Sequence, residues 1–214
     1  MIQPRRAAVF ALLPANPLVI HLLFGQIAAM QTAVKSDFVS VADYLAAEEA
    51  SDIRHEYLGG LVYAMAGETL THNQISQNLL FHIHQNIKGG PCRVFISDIR
   101  VNFLLREDEY YYYPDIVVTC DNRDTHPRFI RYPKLIIEVL SESTERVDRR
   151  EKFFAYTSIE SLEEYVLVAQ SSREVTVFQR ANGWRPETFA GRETTVTLNS
   201  LQLALPLEAV YEGI

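Results

Sequence analysis

The order of helical and strand-like segments is the feature that most limits the folds open to this chain. Apolar residues recur at every fourth position across residues 71–88, which predicts a helix that stops at Gly89. Another helix is predicted from Ser143 to about Tyr156. Strand-like segments lie around it, at residues 92–96, 99–105, 109–119, 134–140, 164–169, 174–180 and 194–198. We therefore expect an α/β or mixed α+β fold, with a central mixed sheet flanked by helices.

The chain length and the N-terminal residues bear on the domain organisation. A chain of 214 residues is long enough for one domain with a single core, which we place at residues 30–214. Residues 1–29 combine two arginines with an apolar stretch that prolines interrupt, so they are not typical of a membrane span. Three interpretations of them stay open: an extension upstream of a true start at Met30, a signal peptide, or an additional ordered element.

The net charge of the chain bears on its binding partners, and its two cysteines bear on its cellular location. The net charge of −7 is the opposite of what non-specific nucleic-acid binding favours, because such binding depends on neutralising phosphates. A carboxylate-lined metal site would itself add negative charge. Cys92 and Cys120 do not form a disulfide framework in a domain of this size, and they are typical of a reducing cytosol. We predict a cytoplasmic protein without a membrane segment.

An acidic residue closely follows the four tyrosines of residues 110–113. In a strand, side chains alternate between the two faces, so Asp115 shares its face with Tyr113 and Val117. An unpaired carboxylate is costly to bury, so a basic partner or a metal ion must compensate it. A turn residue at a strand end is the alternative, because a proline precedes the aspartate. The tyrosines are interpreted as strand packing, with stacking on bases as the alternative.

A second acid lies in the apolar segment of residues 134–140. Alternation places Glu138 on one face with Ile136 and Leu140. If its strand lies next to that of Asp115, the two carboxylates form a hard, oxygen-rich site that suits Mg²⁺ or Mn²⁺ rather than zinc. A structural ion pair between Glu138 and an arginine is the alternative.

The helix predicted after this strand carries a basic group. Asp148 and Lys152 are four positions apart and therefore share one face of the helix. An ammonium group there can orient an attacking hydroxide and offset the charge that develops on a phosphate. A solvent-exposed pair, which contributes only about 0.3–0.5 kcal/mol to stability, is the alternative.

These segments together resemble a known group of enzymes. Pro114 and Asp115, followed after a strand and loop by Ile137 and Glu138, resemble the pattern of the PD-(D/E)XK nuclease superfamily. The longer string from residue 138 to 156 resembles the signature of the Uma-two family of restriction endonucleases, and it reads EVLSESTERVDRREKFFAY. The upstream string HEYLGGLVYAMAG and His72 also match that family.

The resemblance implies a restriction-endonuclease-like core that hydrolyses DNA phosphodiester bonds with Mg²⁺ or Mn²⁺. It implies that Asp115 and Glu138 are metal ligands, together with the carbonyl oxygen of Val139. Glu56 matches the early acidic residue of the family, which reaches the metal through water. Lys152 takes the place of the catalytic lysine.

Further expectations concern the substrate and the departures from the pattern. His72 and Arg149 are predicted to contact the DNA, and a homodimer would provide one active centre for each strand of a duplex. The superfamily pattern has lysine two residues after the glutamate, where this chain has Leu140. A nuclease fold that has lost catalysis and serves in binding is therefore the rival interpretation, which the negative net charge also favours.

Overall fold

Three sheets and several short helices make up the described part of the chain. The computed structural model describes residues 38–141 and 144–214. The strands are β1 (His55–Leu58), β2 (Leu61–Ala64), β3 (Arg93–Ile96), β4 (Arg100–Leu105), β5 (Asp108–Tyr112), β6 (Ile116–Thr119), β7 (Phe129–Ile130), β8 (Pro133–Leu140), β9 (Glu164–Ala169), β10 (Glu174–Gln179), β11 (Pro186–Ala190), β12 (Thr195–Leu198) and β13 (Leu203–Pro206). The helices are α1 (Val41–Ala50), α2 (Leu70–Ile87), α3 (Glu145–Val147), a π-helical turn (Asp148–Lys152), α4 (Phe153–Thr157) and α5 (Leu207–Val210).

The largest sheet contains six strands in the order β11-β10-β9-β8-β6-β3. Strands β8 and β9 are parallel, and the other neighbours are antiparallel. A second sheet has the order β2-β1-β5-β4-β7, and β12 pairs with β13 as a separate hairpin. The predicted mixed α+β fold with a central mixed sheet is confirmed. Strands β4 and β5 were predicted as parts of segments 99–105 and 109–119, but their separation into a second sheet was not, because periodicity does not reveal which strands pair.

Strand β8 lies at the centre of the large sheet and is buried on both faces. Leu135 and Ile137 belong to the apolar cluster that contains the buried stripe of α2. Ile136 and Leu140 point the other way, into the cluster that contains residues of α4 and β4. Each fully buried side chain of this kind contributes roughly 1.5–3 kcal/mol. The side chain of Glu138 lies on the same face of β8 as Ile136 and Leu140, because side chains alternate between the two faces of a strand.

The helix predicted for residues 71–88 is α2. Its apolar stripe packs on the large sheet through Ile75, Leu79 and Ile83. Thr69 caps the N-terminus, because its side-chain oxygen accepts a hydrogen bond from the amide of His72 at 3.1 Å. This cap holds His72 in the first turn of α2.

The prediction of one strand over residues 109–119 is wrong, because the chain changes sheets at residues 113–115. Strand β5 belongs to the five-stranded sheet and β6 to the six-stranded sheet. Pro114, which lies between them, has no amide hydrogen to contribute to a strand ladder. Tyr111, Tyr112 and Tyr113 are all buried, so the interpretation of the tyrosines as packing residues is confirmed for these three.

The two cysteines are joined in a disulfide, contrary to the expectation from sequence. Strands β3 and β6 are antiparallel with Arg93 opposite Thr119, so Cys92 and Cys120 form the next facing pair. Their Cα atoms are 3.9 Å apart. Strand register is a tertiary property, which the spacing of the cysteines does not reveal. Because disulfides are rare in a reducing cytosol, the cysteines no longer support a cytoplasmic location, which stays a prediction.

Several predictions from sequence lie outside the described residues. These are the interpretations of residues 1–29, the domain boundary at residue 30 and the helix cap at Ser143. Within residues 38–141 and 144–214, no helix has the length and apolar character needed to cross a membrane.

A buried acid at the start of β9 provides a test of the fold. Glu164 accepts hydrogen bonds from the amides of Asn199 at 2.8 Å and Ser200 at 3.0 Å, and so holds the turn that leads into β13. We expect Glu164→Ala to lower the free energy of unfolding by about 3 kcal/mol, because it removes a buried carboxylate that accepts both amide hydrogen bonds. Urea denaturation followed by circular dichroism measures this loss.

The neighbouring residue is a matched control for that prediction. Glu163 pairs with Lys134 at 2.6 Å, but both side chains are partly exposed. Glu163→Ala should therefore change the free energy of unfolding by no more than about 1 kcal/mol. Equal losses in the two variants would contradict the structural role assigned to Glu164.

Candidate active site

Two acids on neighbouring strands of the large sheet face each other. Strands β6 and β8 are antiparallel with Ile116 opposite Ile137, so Asp115 and Glu138 occupy the next facing positions. The amide of Val139 donates a hydrogen bond to Oδ2 of Asp115 at 2.6 Å. The amide of Asp115 donates to Oε2 of Glu138 at 3.4 Å. Strand register therefore brings together the two acids that the sequence analysis selected.

Lys152 lies among three carboxylates. Its Nζ atom is 3.0 Å from Oε1 of Glu56, 3.1 Å from Oε1 of Glu138 and 3.5 Å from Oδ1 of Asp148. The hydroxyl of Tyr156 donates to the same Oε1 of Glu138 at 3.2 Å. The four residues predicted to be catalytic, Asp115, Glu138, Lys152 and Glu56, are thus linked by direct contacts. We refer to them, with Asp148, as the Lys152 cluster.

A π-helical turn carries the lysine into this position. The sequence predicted one helix from Ser143 to about Tyr156. In the structure this region is α-helical only in α3 and α4, and residues Asp148–Lys152 between them form a π-helical turn. Such turns are rare and are often found at functional sites. Asp148, Lys152 and Tyr156 are spaced by four residues and all are buried against the sheet. The alternative of a solvent-exposed Asp148–Lys152 pair is therefore excluded.

Helix α2 and the residues just before it contribute a second group of ligand-type atoms beside Asp115. Nε2 of His72 lies 3.1 Å from Oδ2 of Asp115 and 3.1 Å from Oε2 of Glu68. The ligand atoms of these three residues all lie within 4.8 Å of one another. The sequence analysis assigned His72 to substrate contact and missed Glu68. The sequence offered no clear signal for it, because Glu68 precedes the helix and the four-residue spacing places side chains on one face only within a helix.

Burial and crowding shift the acid–base equilibria of the Lys152 cluster. Burial raises the pKa of the Glu138 carboxyl well above its ordinary value; Lys152 opposes this shift, whereas Asp148 adds to it. Burial likewise raises the pKa of Asp148. For Lys152, burial alone would lower the pKa, but the nearby carboxylates of Glu138 and Glu56 outweigh it and raise the pKa, so the ammonium stays charged.

Burial and neighbouring charges also have opposing effects on the pKa values of Glu68 and His72. Burial raises the pKa of Glu68, with His72 acting against it and Asp115 in its favour. Burial works against protonated His72, but the hydrogen bond and charge of Asp115, the charge of Glu68 and a hydrogen bond with the main chain of Val139 raise the pKa of the imidazole. Protonation of this histidine is therefore stabilised by the acids around it.

The donor set fits a divalent metal ion. Five acids (Glu56, Glu68, Asp115, Glu138 and Asp148) face one lysine and one histidine, so negative charge is in excess. Oδ1 of Asp148 is buried and, beyond its contact with Lys152, has no hydrogen-bond partner within the described ranges. Carboxylate oxygens with one imidazole nitrogen are ligands that Mn²⁺ accepts, and Mg²⁺ prefers the oxygens.

One predicted site residue is not brought into this arrangement. Arg149 lies on the exposed side of the π-helical turn and forms an ion pair with Glu145 at 2.7 Å. Its predicted contact with DNA stays a prediction. Val139 is placed at the centre, but the contact that the structure gives its amide is with Asp115.

The fold as a whole is similar to that of a solved nuclease-like protein. The crystal structure of "a putative nuclease belonging to DUF820" from Anabaena variabilis superposes with a TM-score of 0.68, over 81% of this chain and 97% of that one. The sequence identity is 18%, so this likeness concerns the fold. It agrees with the restriction-endonuclease-like core that the sequence resemblance implied.

The chain belongs to the Uma2 family, the Uma-two family named above. The profile of that family, described as "Putative restriction endonuclease", matches residues 41–208. The protein slr1290 of Synechocystis sp. is 34% identical over 179 residues, which cover 82% of this chain and 93% of that protein. A second Synechocystis protein, sll1609, is 30% identical over 154 residues, covering 71% and 86%. The predicted family is confirmed.

The burial of Lys152 leads to a stability prediction. Lys152→Met should lower the free energy of unfolding by about 3–5 kcal/mol, because it leaves buried carboxylates without their cation. Lys134→Met is the matched control, since this lysine pairs with Glu163 near the surface and its loss should cost no more than about 1 kcal/mol. Urea denaturation measures both. A Lys152→Met protein as stable as the control would contradict the buried cluster.

Proposed function

We propose that this protein is a metal-dependent endonuclease that hydrolyses phosphodiester bonds in DNA. The observation that carries the proposal is the meeting of Asp115, Glu138 and Lys152 at one point. Paired acids with a nearby ammonium are the groups that metal-assisted phosphate chemistry requires. Membership of a family described as "Putative restriction endonuclease" supports a nucleic acid as the substrate.

The metal would be Mg²⁺ or Mn²⁺, held by the acids around Asp115. Asp115 is the central ligand in this proposal, with Glu138 and the carbonyl of Val139 as the ligands that the family pattern suggests. Glu68 and His72 are added because their ligand atoms lie with that of Asp115 within 4.8 Å of one another. When bound, such an ion lowers the pKa of a coordinated water and polarises the phosphate.

The chain's own residues would orient the reacting groups. The ammonium of Lys152 can stabilise negative charge that develops on the phosphate, which is worth most in a site of low polarity. Tyr156 and Lys152 hold Oε1 of Glu138 from two directions. Glu56 contacts Lys152 and also accepts a hydrogen bond from the amide of Tyr113 at 3.3 Å, so it positions the lysine. Its predicted water-mediated contact with the metal belongs to this proposal.

A duplex has two strands, so we also propose that two copies of the chain act together as a homodimer. Each copy would cut one strand. Sedimentation velocity at micromolar protein, with and without a short duplex, distinguishes a dimer from a monomer. A monomer that nonetheless cuts both strands would overturn this part of the proposal.

A catalytically inactive binding protein is the second candidate. The contacts of Lys152 favour it, because an ammonium already paired with Glu56, Glu138 and Asp148 is less free to act on a substrate. Leu140, at the position where the superfamily pattern has lysine, points the same way. The activity measurement below separates the two candidates.

The metal site is tested by calorimetry. Wild-type protein should bind Mn²⁺, and Asp115→Asn should weaken binding by at least about tenfold, the scale on which metal sites respond to changes around them. His72→Gln should weaken Mn²⁺ binding more than Mg²⁺ binding, since Mg²⁺ prefers oxygen ligands. Asp121→Asn is the control, because this acid pairs with Arg123 at the surface. Unchanged affinity in Asp115→Asn would refute the assignment.

Activity is tested by nicking of supercoiled plasmid in the presence of Mg²⁺ or Mn²⁺. The substitution Lys152→Met should lower the rate of nicking by about 10²–10³-fold, the loss typical of a group that stabilises transition-state charge. Asp115→Asn should also abolish nicking, whereas Asp121→Asn should cut like wild type. Metal binding without any nicking by the wild type would establish the inactive binding protein instead.

A further inference from the structure

A cavity on the far side of Tyr113 from the Lys152 cluster has a distinct charge pattern. Its volume is about 410 Å³, and it lies between α1, the β3–β4 loop and the segment before β7. Its charged lining residues are Arg54, Arg100, Arg128, Glu48, Glu49 and Asp98. We call it the Arg100 cavity.

Arg100 is the unusual member of this lining. It is only 4% exposed, and Nη1 of its guanidinium is buried without a hydrogen-bond partner in the described part of the chain. The rings of Tyr44, Tyr111 and Tyr113 surround the guanidinium at 5.7–5.9 Å. Aromatic faces attract a cation, but they do not accept its directional N–H bonds as an anion does.

Each acid of the lining is already paired with a basic residue other than Arg100. Glu48 accepts hydrogen bonds from the amide and the ring of His55, at 3.0 and 2.9 Å. Asp98 pairs with Arg54 at 3.0 Å, and Glu49 with Arg128 at 3.5 Å. Among the described residues, no carboxylate forms an ion pair with Arg100.

The segment before β7 shows the influence of several arginines on one histidine. The pKa of His126 is lowered by burial and by the charges of Arg100, Arg131 and Arg128. Three charged arginines therefore lie close enough to this imidazole to favour its neutral form. A buried cation without a counter-ion is costly, so an anion that entered the cavity would be stabilised.

The cavity adjoins the candidate active site. The hydroxyl of Tyr113 donates to Glu48 of the cavity at 2.8 Å, while its amide donates to Glu56 of the Lys152 cluster at 3.3 Å. The loop that carries Asp98 is tied to Asp115 by the amide of Ser97 at 3.1 Å. One residue, Tyr113, thus separates the two sites.

We propose that the Arg100 cavity is a phosphate-binding site that holds a backbone phosphate next to the one at the Lys152 cluster. Arginine is suited to this, because its planar guanidinium donates two parallel hydrogen bonds to phosphate oxygens. The identity of the phosphate as part of a nucleic acid rests on the proposed function. The binding of a phosphate by Arg100 does not depend on cleavage or on metal.

The experiment uses full-length protein in EDTA, so that neither metal nor hydrolysis contributes. The probes are inorganic phosphate, followed by thermal denaturation at constant ionic strength, and a fluorescein-labelled single-stranded oligonucleotide, followed by anisotropy. Phosphate should raise the Tm of the wild type. Arg100→Met should abolish this rise, weaken oligonucleotide binding at least tenfold and reduce the slope of log K against log salt by about one. Arg185→Met, which removes an exposed arginine, should leave the phosphate effect unchanged.

Each outcome decides the proposal. A Tm rise that Arg100→Met abolishes, without any effect on the oligonucleotide, supports the phosphate site and overturns its assignment to a nucleic acid. Equal responses of wild type and Arg100→Met to both probes overturn the site. If Arg100→Met does not fold, Arg100→Lys, which keeps the charge but loses the paired donors, must show a weakened response to phosphate. Failure of plasmid nicking leaves these results intact, so the two proposals fail separately.

Discussion

The buried ammonium of Lys152 is the interaction on which the rest of the site depends. Three carboxylates lie within 3.5 Å of it, and carboxylates gathered around one atom repel one another where water is excluded. They come from β1, β8 and the π-helical turn, which belong to two sheets and a helical segment. The cation allows these three parts to pack at one point. The same side chain therefore stabilises the fold and stands where the proposed chemistry would occur.

Polar groups remain incompletely satisfied on both sides of Tyr113. On one side, acids outnumber bases around Asp115, which is the physical reason to expect a divalent cation there. On the other side, Nη1 of Arg100 is buried without a hydrogen-bond partner in the described part of the chain, which is the reason to expect an anion. A nucleic-acid strand carries regularly spaced phosphates, so one strand could satisfy both sites with neighbouring groups. The negative charge of the whole chain is compatible with this, because recognition would depend on local charge rather than on the net value.

The buried acids of this protein fall into two kinds that look alike in sequence. Glu164 begins an apolar strand and Asp115 immediately precedes one, yet the oxygens of Glu164 accept hydrogen bonds from the amides of Asn199 and Ser200 and from the side chains of Gln179 and Ser200. Asp115 receives one amide hydrogen bond and otherwise faces His72. What separates a structural acid from a candidate ligand is therefore how completely its oxygens are satisfied, and that depends on residues far away in the chain.

Local patterns were enough to assign the family, the fold class and the three groups at the centre of the site. The alternation in β8, the four-residue spacing of Asp148 and Lys152 and the family string each involve residues close together in the chain. These patterns can therefore be recognised from the sequence alone. Strand register and packing decided the rest: the approach of Glu68 to Asp115, the break between two sheets at Pro114, the cysteine pair and the isolation of Arg100. These features depend on contacts between residues distant in sequence and on which polar groups packing leaves unsatisfied, which no short pattern encodes.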